Sequence, residues 1–463
     1  GGKIYGDGDG VSRKRRFLSL FIIGQWSISL INICFHVIKK TFRRTVPRDH
    51  RRLDRKMRLP CIICIIFTWF LSFSDLNRGA LWAGNLSPST KFGQKLAAMT
   101  GAGDAVVVAA PDGHILAGVN VDLALVPASI LKLLTTLAAL EKLGPDYRFR
   151  TDFYIDSQNN LKIKGYGDPL LVSEELKVMA DHLAARLRTI HNLILDDFYF
   201  EQPVRIPGRG TSTEPYDAPN GALCANFNTV AFKRKNGRLV SDEPQTPLLP
   251  SVISKIAASG LTRGRITLAA NSTEALQYTG ELFQYFFRQA GMEVEGAIGR
   301  GRVDPQRDRL IWSYRSRHEL RMVAADLLEY SNNFMANQIL LVMGAEVMGP
   351  PATVNKGLQA LENYYRGDLK IESGRIVEAS GISRQNRITA RAMLKILQRY
   401  EPYHTLMRRE GRQFYKTGHL KGIRTRAGFL TSAHGGLYRF VVMINTPGKT
   451  TDGMMKAIEE HLY

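Results

Sequence analysis

This sequence of 463 residues has few cysteines and no pair of histidines at a metal-binding spacing, and both features limit the chemistry that it can support. Of the four cysteines, Cys34, Cys61 and Cys64 lie near the N-terminus, which leaves Cys224 alone in the rest of the chain. The body therefore has no internal disulfide and no cysteine-based metal cluster. The ten histidines form neither an H-x-x-x-H nor an H-x-x-E-H pattern. The lack of both patterns disfavours a metal hydrolase, and we expect neither a metal nor a cofactor.

Beyond its N-terminal segment the sequence lacks a basic run interleaved with aromatic residues. Residues 1–58 carry 15 of the 63 Lys and Arg residues but only 4 of the 42 Asp and Glu residues, so about half of the net charge of +21 lies there. We therefore expect no nucleic-acid partner. The smaller excess in the remaining residues is compatible with association with an anionic wall or membrane surface.

Two apolar runs, Phe17–Ile38 and Leu59–Phe73, precede the body of the chain, and the first is long enough to span a bilayer. No methionine precedes Met57, after which a basic start, an apolar stretch and small polar residues follow in the order of a secretory signal peptide. We expect residues 1–56 to be an upstream, non-native leader and residues 57–83 to be the signal peptide of an exported protein. The alternative is a membrane anchor with two spans.

The two ends of the body have the patterns of one antiparallel sheet with helices on its faces, an α+β architecture. At the front we predict a helix, two strands and an apolar helix, over Lys91–Met99, Ala105–Ala110, His114–Val119 and Ser129–Leu143. At the far end we predict two strands and a helix, over Gly422–Thr431, Gly436–Asn445 and Asp452–Leu462. Short β-like runs between them predict an inserted β-rich subdomain at residues 168–300. The outer domain then comprises residues 84–167 and 301–463.

The first motif with chemical meaning is Ser129-Ile130-Leu131-Lys132, at the start of the apolar helix. A serine there lies beside unpaired backbone amides and the positive end of the helix dipole. A lysine three residues later shares its face, and burial would lower the lysine's pKa enough for it to accept the serine's proton. The alternative is that Ser129 is an N-cap and that Lys132 faces solvent.

Two further short motifs follow in the chain. Ser331-Asn332-Asn333 joins two apolar helices, and its hydroxyl and amide could relay a proton and hold a peptide carbonyl. The alternative is a polar helix connection with a capping serine. Lys416-Thr417-Gly418 enters the C-terminal strand pair. Its lysine would attract a substrate carboxylate, and its glycine would let a ligand backbone approach closely, although an ordinary turn is the alternative.

The three motifs in this order are the signature of β-lactamases and penicillin-binding proteins. The chain resembles the class C low-molecular-mass penicillin-binding proteins, which are D-alanyl-D-alanine carboxypeptidase/endopeptidases, over about residues 90–463. The gap of 202 residues between Ser129 and Ser331 fits this family, which carries inserted domains there. The other stretches that resemble it are Pro127-Ala128-Ser129, Leu137–Leu140, Gly167-Asp168-Pro169, Asn226-Phe227-Asn228, Ser380–Arg384 and Lys416–Gly422.

The resemblance implies a penicillin-binding/β-lactamase-like transpeptidase domain that acts on peptidoglycan peptides and is inhibited covalently by β-lactams. It implies that Ser129 is acylated, that Lys132 is its base, and that Ser331 with Lys416 passes the proton to the departing D-alanine. Asn333 would orient the substrate, and Thr417, Gly418 and His419 would bind it. The backbone amides of Ser129 and His419 would form the oxyanion hole. The enzyme would work in the periplasm or cell envelope.

The sequence departs from the family at two places. His419 stands where the family usually has Thr, and Glu378-Ala379 stands where Asp-Gly is more typical. Two other functions stay open. A serine β-lactamase shares the three motifs, but we find no E-x-x-L-N loop to supply the extra base of its class A form. A non-catalytic wall-binding homologue would have no chemical need for the serine and lysine set.

Overall fold

The computed structural model describes residues 90–268, 272–432 and 435–462. The predicted leader, the signal peptide and both N-terminal apolar runs lie outside these residues. Within the described part of the chain, no helix combines the length and apolar character that crossing a membrane requires.

The described residues form ten α-helices and sixteen strands. The helices are α1 (Lys91–Met99), α2 (Lys132–Leu143), α3 (Ser173–Ala184), α4 (Pro250–Ala258), α5 (Ser272–Gln289), α6 (Leu320–Tyr330), α7 (Asn333–Met348), α8 (Val354–Asn363), α9 (Ala390–Tyr400) and α10 (Asp452–Leu462). The strands are β1 (Asp104–Ala109), β2 (Ile115–Val119), β3 (Arg148–Ile155), β4 (Leu161–Gly165), β5 (Thr189–Ile190), β6 (Leu193–Asp196), β7 (Thr229–Lys235), β8 (Arg238–Ser241), β9 (Arg263–Thr267), β10 (Glu293–Val294), β11 (Ile298–Arg300), β12 (Arg309–Glu319), β13 (Arg408–Glu410), β14 (Gln413–Leu420), β15 (Ile423–Thr431) and β16 (Leu437–Ile444).

The two ends of the described chain build one six-stranded sheet, in the order β13-β14-β15-β16-β1-β2. Every pairing in this sheet is antiparallel, and β1 pairs with β16 so that Asp104 lies opposite Ile444. This confirms the predicted α+β class. The predicted strands and terminal helices agree with the observed ones to within a residue or two at each end.

Strand β1 is buried along its whole length because helices cover both faces of the sheet. Successive side chains of a strand point to opposite faces, so Val107 packs into the core formed with α2, α7 and α9, whereas Val106 and Val108 pack against α1 and α10. Burial on both sides explains why β1 is a continuous apolar run rather than an alternating one.

Helix α2 starts later than predicted. The predicted helix begins at Ser129, but residues Ala128–Leu131 form a 3₁₀ turn and the α-helix begins at Lys132. Ala128, the first residue of this turn, has a positive φ of 48°, which neither helix type adopts. Short 3₁₀ turns are common at the ends of α-helices. The first nine residues of α2, from Lys132 to Leu140, are all buried.

The middle of the chain forms a second core around a five-stranded sheet in the order β11-β6-β4-β3-β12. Residues 168–300 contribute β6 and β11 to it, but β3, β4 and β12 lie outside these bounds. The antiparallel pairing of β3 with β12 brings together the segments on either side of the insert. Residues 168–300 also contain α3, α4 and α5, so helices accompany the strands. The domain boundaries stay a prediction.

Candidate active site

Ser129 and Lys132 lie together at the start of α2. The Lys132 Nζ donates a hydrogen bond to the Ser129 Oγ at 3.0 Å. The 3₁₀ turn and the first turn of the helix place the two side chains, three residues apart, on one face. Lys132 is completely buried, and the N-cap of α2 is Leu131. The alternative of a capping serine with a solvent-facing lysine is therefore wrong.

The Lys132 amine is held by acceptors from three parts of the fold. Besides Ser129, it donates to the Asn333 Oδ1 at 2.8 Å and to the Ser380 carbonyl oxygen at 2.6 Å. These three acceptors match the three N–H groups of an ammonium ion. Burial lowers the pKa of Lys132 well below its usual range, and the nearby charge of Lys416 lowers it further, whereas Glu378 raises it.

The Ser331–Asn333 motif lies between α6 and α7. Ser331 ends α6 in the left-handed conformation, with φ 54°, and Asn332 caps α7 by accepting a hydrogen bond from the Met335 amide at 3.1 Å. The capping residue is thus Asn332 rather than Ser331. Asn333 reaches Lys132, but among the described residues no side-chain hydrogen bond joins Ser331 to the Ser129–Lys132 pair.

Lys416 lies on β14 where one edge of that strand is open. The short strand β13 pairs only with Gln413–Tyr415, so from Lys416 onwards no described strand covers this edge. Lys416 is 4% exposed, and burial lowers its pKa to about 8, against an opposing effect of Glu329. Its Nζ donates to the Thr417 carbonyl oxygen at 2.9 Å.

Gly418 brings the backbone of β14 against the nucleophile segment. A Cβ atom at this position would lie 2.8 Å from the Ser129 amide nitrogen and would also overlap the Thr425 hydroxyl. The Thr425 hydroxyl donates to the Pro127 carbonyl oxygen at 2.7 Å, which ties β15 to the same segment. Strand β14 therefore lies directly beside Ser129, and any side chain at residue 418 would push them apart.

Thr417 and His419 are exposed and alternate with Lys416 and Gly418, so their side chains point to the other face of the sheet. They are paired in register with Arg426 and Arg424, whose guanidinium groups are already engaged. Arg426 lies 3.7 Å above the Tyr415 ring, and Arg424 donates to the backbone at residues 420 and 423. The substrate-binding role predicted for Thr417 and His419 stays a prediction.

The sequence assigned no role in the site to the segment that supplies the Ser380 carbonyl. Residues 378–386, the Glu378 loop, run behind the Ser129–Lys132 pair, and Gly381 (φ 85°) lies so close to Ala128 that a Cβ atom would overlap its carbonyl oxygen. A backbone carbonyl has no residue-type signature, so the resemblance at Ser380–Arg384 and the departure at Glu378-Ala379 marked this loop without indicating its role. In the described parts of the chain, no group of three or more His, Cys, Asp or Glu side chains could hold a metal ion.

A helix-flanked antiparallel sheet with a serine–lysine pair beside a K-T-G strand defines the class of penicillin-binding and β-lactamase-like folds. The family model described as the D-Ala-D-Ala carboxypeptidase 3 (S13) family matches residues 91–408. The chain belongs to this family.

Two curated relatives are D-alanyl-D-alanine carboxypeptidases. The protein from Actinomadura sp. (strain R39) is 28% identical over 327 residues, which cover 59% of this chain and 60% of the relative. The protein named DacB from Haemophilus influenzae is 24% identical over 229 residues, which cover 43% of this chain and 47% of the relative. The matches thus span about half to three fifths of the relatives' length.

The fold is also similar to that of penicillin binding protein 4 (dacB) from Haemophilus influenzae. The crystal structure superimposes with a TM-score of 0.65 at 19% identity, covering 80% of this chain and 98% of the other. A second structure of that protein, complexed with a novel β-lactam, superimposes with a TM-score of 0.62. At this identity the likeness establishes the shared fold.

Proposed function

We propose that the chain is a serine-type D-alanyl-D-alanine carboxypeptidase/endopeptidase that cleaves peptidoglycan peptides through an acyl-enzyme on Ser129. The observation that carries the proposal is the completely buried Lys132 amine, 3.0 Å from the Ser129 hydroxyl oxygen and 2.8 Å from the Asn333 side chain. A lysine whose pKa is lowered by burial can be neutral at working pH and can activate an adjacent hydroxyl. Membership of the S13 family supports the substrate class.

In the acylation step, the Ser129 hydroxyl gives its proton to the neutral Lys132 amine while its oxygen bonds to the carbonyl carbon of the penultimate D-alanine. The negative charge that develops on the carbonyl oxygen is stabilised by the backbone amides of Ser129 and His419. Collapse of this intermediate breaks the C–N bond. The proton returns through Ser331, with Lys416 nearby, to the amine of the departing D-alanine, or of the cross-linked peptide when the enzyme acts as an endopeptidase.

Deacylation then restores the enzyme. A water molecule loses a proton to the Lys132 amine and attacks the ester carbonyl, and the ester oxygen recovers its proton as Ser129. The positive charge of Lys416 attracts the terminal carboxylate of the substrate, and the open edge of β14 lets an extended peptide bind along Thr417, Gly418 and His419. A substrate inside the cell wall requires an exported enzyme, so we place the protein in the periplasm or cell envelope.

β-Lactams would acylate the same serine, because their strained amide takes the place of the D-Ala-D-Ala bond. The β-lactam complex of the Haemophilus influenzae protein supports this view. Mass spectrometry after benzylpenicillin treatment tests the nucleophile. We expect a covalent adduct on the peptide that contains Ser129, no adduct in the Ser129→Ala variant, and release of D-alanine from a pentapeptide substrate.

Other results would reassign the function. An adduct that hydrolyses within seconds would indicate a β-lactamase. No adduct and no D-alanine release from a folded wild-type protein would indicate a non-catalytic homologue.

A further inference from the structure

A buried carboxylate to which the mechanism above gives no role lies behind the Ser129–Lys132 pair. Glu378 is completely buried, and its two oxygens accept six hydrogen bonds. An ionised carboxylate only accepts hydrogen bonds, so this set of donors fits the charged form. One oxygen accepts from the Gly381 amide (2.7 Å), the Ser383 amide (3.3 Å) and Asn386 Nδ2 (2.6 Å), and the other from the Ser380 amide and hydroxyl (both 2.6 Å) and Asn337 Nδ2 (3.3 Å).

These hydrogen bonds shape the Glu378 loop around the nucleophile. They curl the loop so that the Ser380 carbonyl faces the Lys132 amine at 2.6 Å. They also hold Gly381 against the Ala128 carbonyl, immediately before the nucleophile. Glu378 therefore controls the position of an acceptor that touches Lys132, although it does not touch the reacting atoms itself.

The Glu378 loop is also hydrogen-bonded to α2 and α7, the two helices that supply side chains to the candidate site. Thr135, one turn after Lys132 on α2, donates to the Ala379 carbonyl oxygen at 2.7 Å. Asn337, one turn after Asn333 on α7, accepts from the Ala379 amide at 3.0 Å and also donates to Glu378. These hydrogen bonds therefore connect the Glu378 loop to both helices that carry Lys132 and Asn333.

Two opposite charges act on the Lys132 amine. Lys416 on β14 favours the neutral amine, whereas Glu378 in the loop favours the ammonium form. The other groups that face the amine are uncharged, namely the Ser129 hydroxyl, the Asn333 side chain and the Ser380 carbonyl. Lys416 is itself influenced by Glu329 on α6 and Arg408 on β13.

We propose that Glu378 is a positioning residue for Lys132, which fixes the amine through the Ser380 carbonyl and counterbalances the charge of Lys416. The inference rests on the proposed function, in which the neutral amine takes the Ser129 proton. Glu378 raises the pKa of Lys132 against the larger lowering by burial. The amine is thus kept basic enough to hold the proton after it has left Ser129.

The test is the pH dependence of acylation by a fluorescent penicillin in the Glu378→Gln variant. Acylation needs neutral Lys132, so its rate rises with pH through the pKa of that amine. Without the negative charge this acidic limb should move to lower pH by about one unit, the size expected for two charges several ångströms apart inside a protein. The rate at the plateau should also fall, because the loop loses hydrogen bonds to the carboxylate.

Two further variants separate charge from mere loosening of the loop. Asn386→Ala removes one donor to Glu378 and leaves the carboxylate, so it should slow acylation without moving the acidic limb. Glu378→Asp withdraws the charge by one methylene and should shift the limb downwards by less than Glu378→Gln. If circular dichroism shows that Glu378→Gln does not fold, the comparison of Glu378→Asp with Asn386→Ala decides.

The outcomes distinguish the two proposals. Wild-type protein that is not acylated at any pH overturns the proposed function. A different outcome is that the wild-type protein is acylated but the acidic limb of the Glu378 variants coincides with that of the wild type or of Asn386→Ala. This result overturns the positioning role and leaves the proposed function intact.

Discussion

The candidate site has two sides: the α2 side, which holds Ser129 and Lys132, and the β14 side, which holds Lys416 to His419. They differ in how completely the protein's own groups satisfy the hydrogen-bonding capacity of their polar atoms. On the α2 side, the Lys132 amine is completely buried and has protein acceptors at 2.6–3.0 Å. On the β14 side, Thr417 and His419 are exposed, and the strand edge is open beyond Tyr415. The groups proposed for proton transfer are thus pre-organised before any substrate binds, whereas the proposed recognition surface is left to solvent and ligand.

The largest effect should come from the buried side. Lys132→Met keeps a side chain of similar length but removes the amine, so acylation by a labelled penicillin should slow by about 10²- to 10⁴-fold, as expected for loss of a general base. Lys142→Met, at an exposed position of the same helix, serves as the control and should react like the wild type. A Lys132→Met protein that reacts at the wild-type rate would show that acylation does not depend on the buried amine of the α2 side.

Lys416 is the buried cation of the β14 side, and its substitution should give an intermediate, pH-dependent effect. Its pKa is lowered to about 8, so it loses its proton as the pH rises through that value and stops attracting a substrate carboxylate. Above pH 8 the kcat/KM for a D-alanyl-D-alanine peptide should fall about tenfold per pH unit, since the ammonium fraction falls at that rate.

The Lys416→Arg variant is the control for this assignment, because an arginine keeps its charge throughout this pH range. Its alkaline limb should be absent or lie at much higher pH, even if its overall rate is lower. An alkaline limb that remains at pH 8 in this variant would assign the titration to another group.

The smallest effect should come from the exposed side. The His419 side chain is exposed and points away from Ser129, so His419→Ala should change the acylation rate by less than about threefold. Substitutions at exposed positions usually change free energies by no more than about 0.5 kcal/mol. Steady-state kinetics with a peptide substrate checks this expectation. A decrease of a hundredfold or more in the rate would show that the reaction depends on the His419 side chain about as strongly as on the buried groups of the α2 side.

The parts of the site that were predictable are those encoded by neighbouring residues. Ser129 and Lys132 are three residues apart at the start of a helix, so helical periodicity indicated that they share a face. Lys416 and Gly418 were recognised from the short K-T-G motif, although the strand that carries them, β14, lies outside the predicted strands. The Glu378 loop and the Ser380 carbonyl were not predictable, because their role depends on contacts between segments almost 250 residues apart in the chain. The 3₁₀ turn before α2 was missed because its residues continue the apolar pattern of the helix, and the positive φ of Ala128 has no signature in its residue type.

The pairing of β1 with β16 has a consequence for the order in which the protein is made. Asp104 accepts a hydrogen bond from the backbone amide of Asn445, 341 residues later, so the six-stranded sheet cannot close until β16 has left the ribosome. Contacts this distant in sequence also form slowly. A truncation before β14 therefore removes Lys416 together with three strands of this sheet, and it leaves the Ser129–Lys132 pair without the strand that lies beside it.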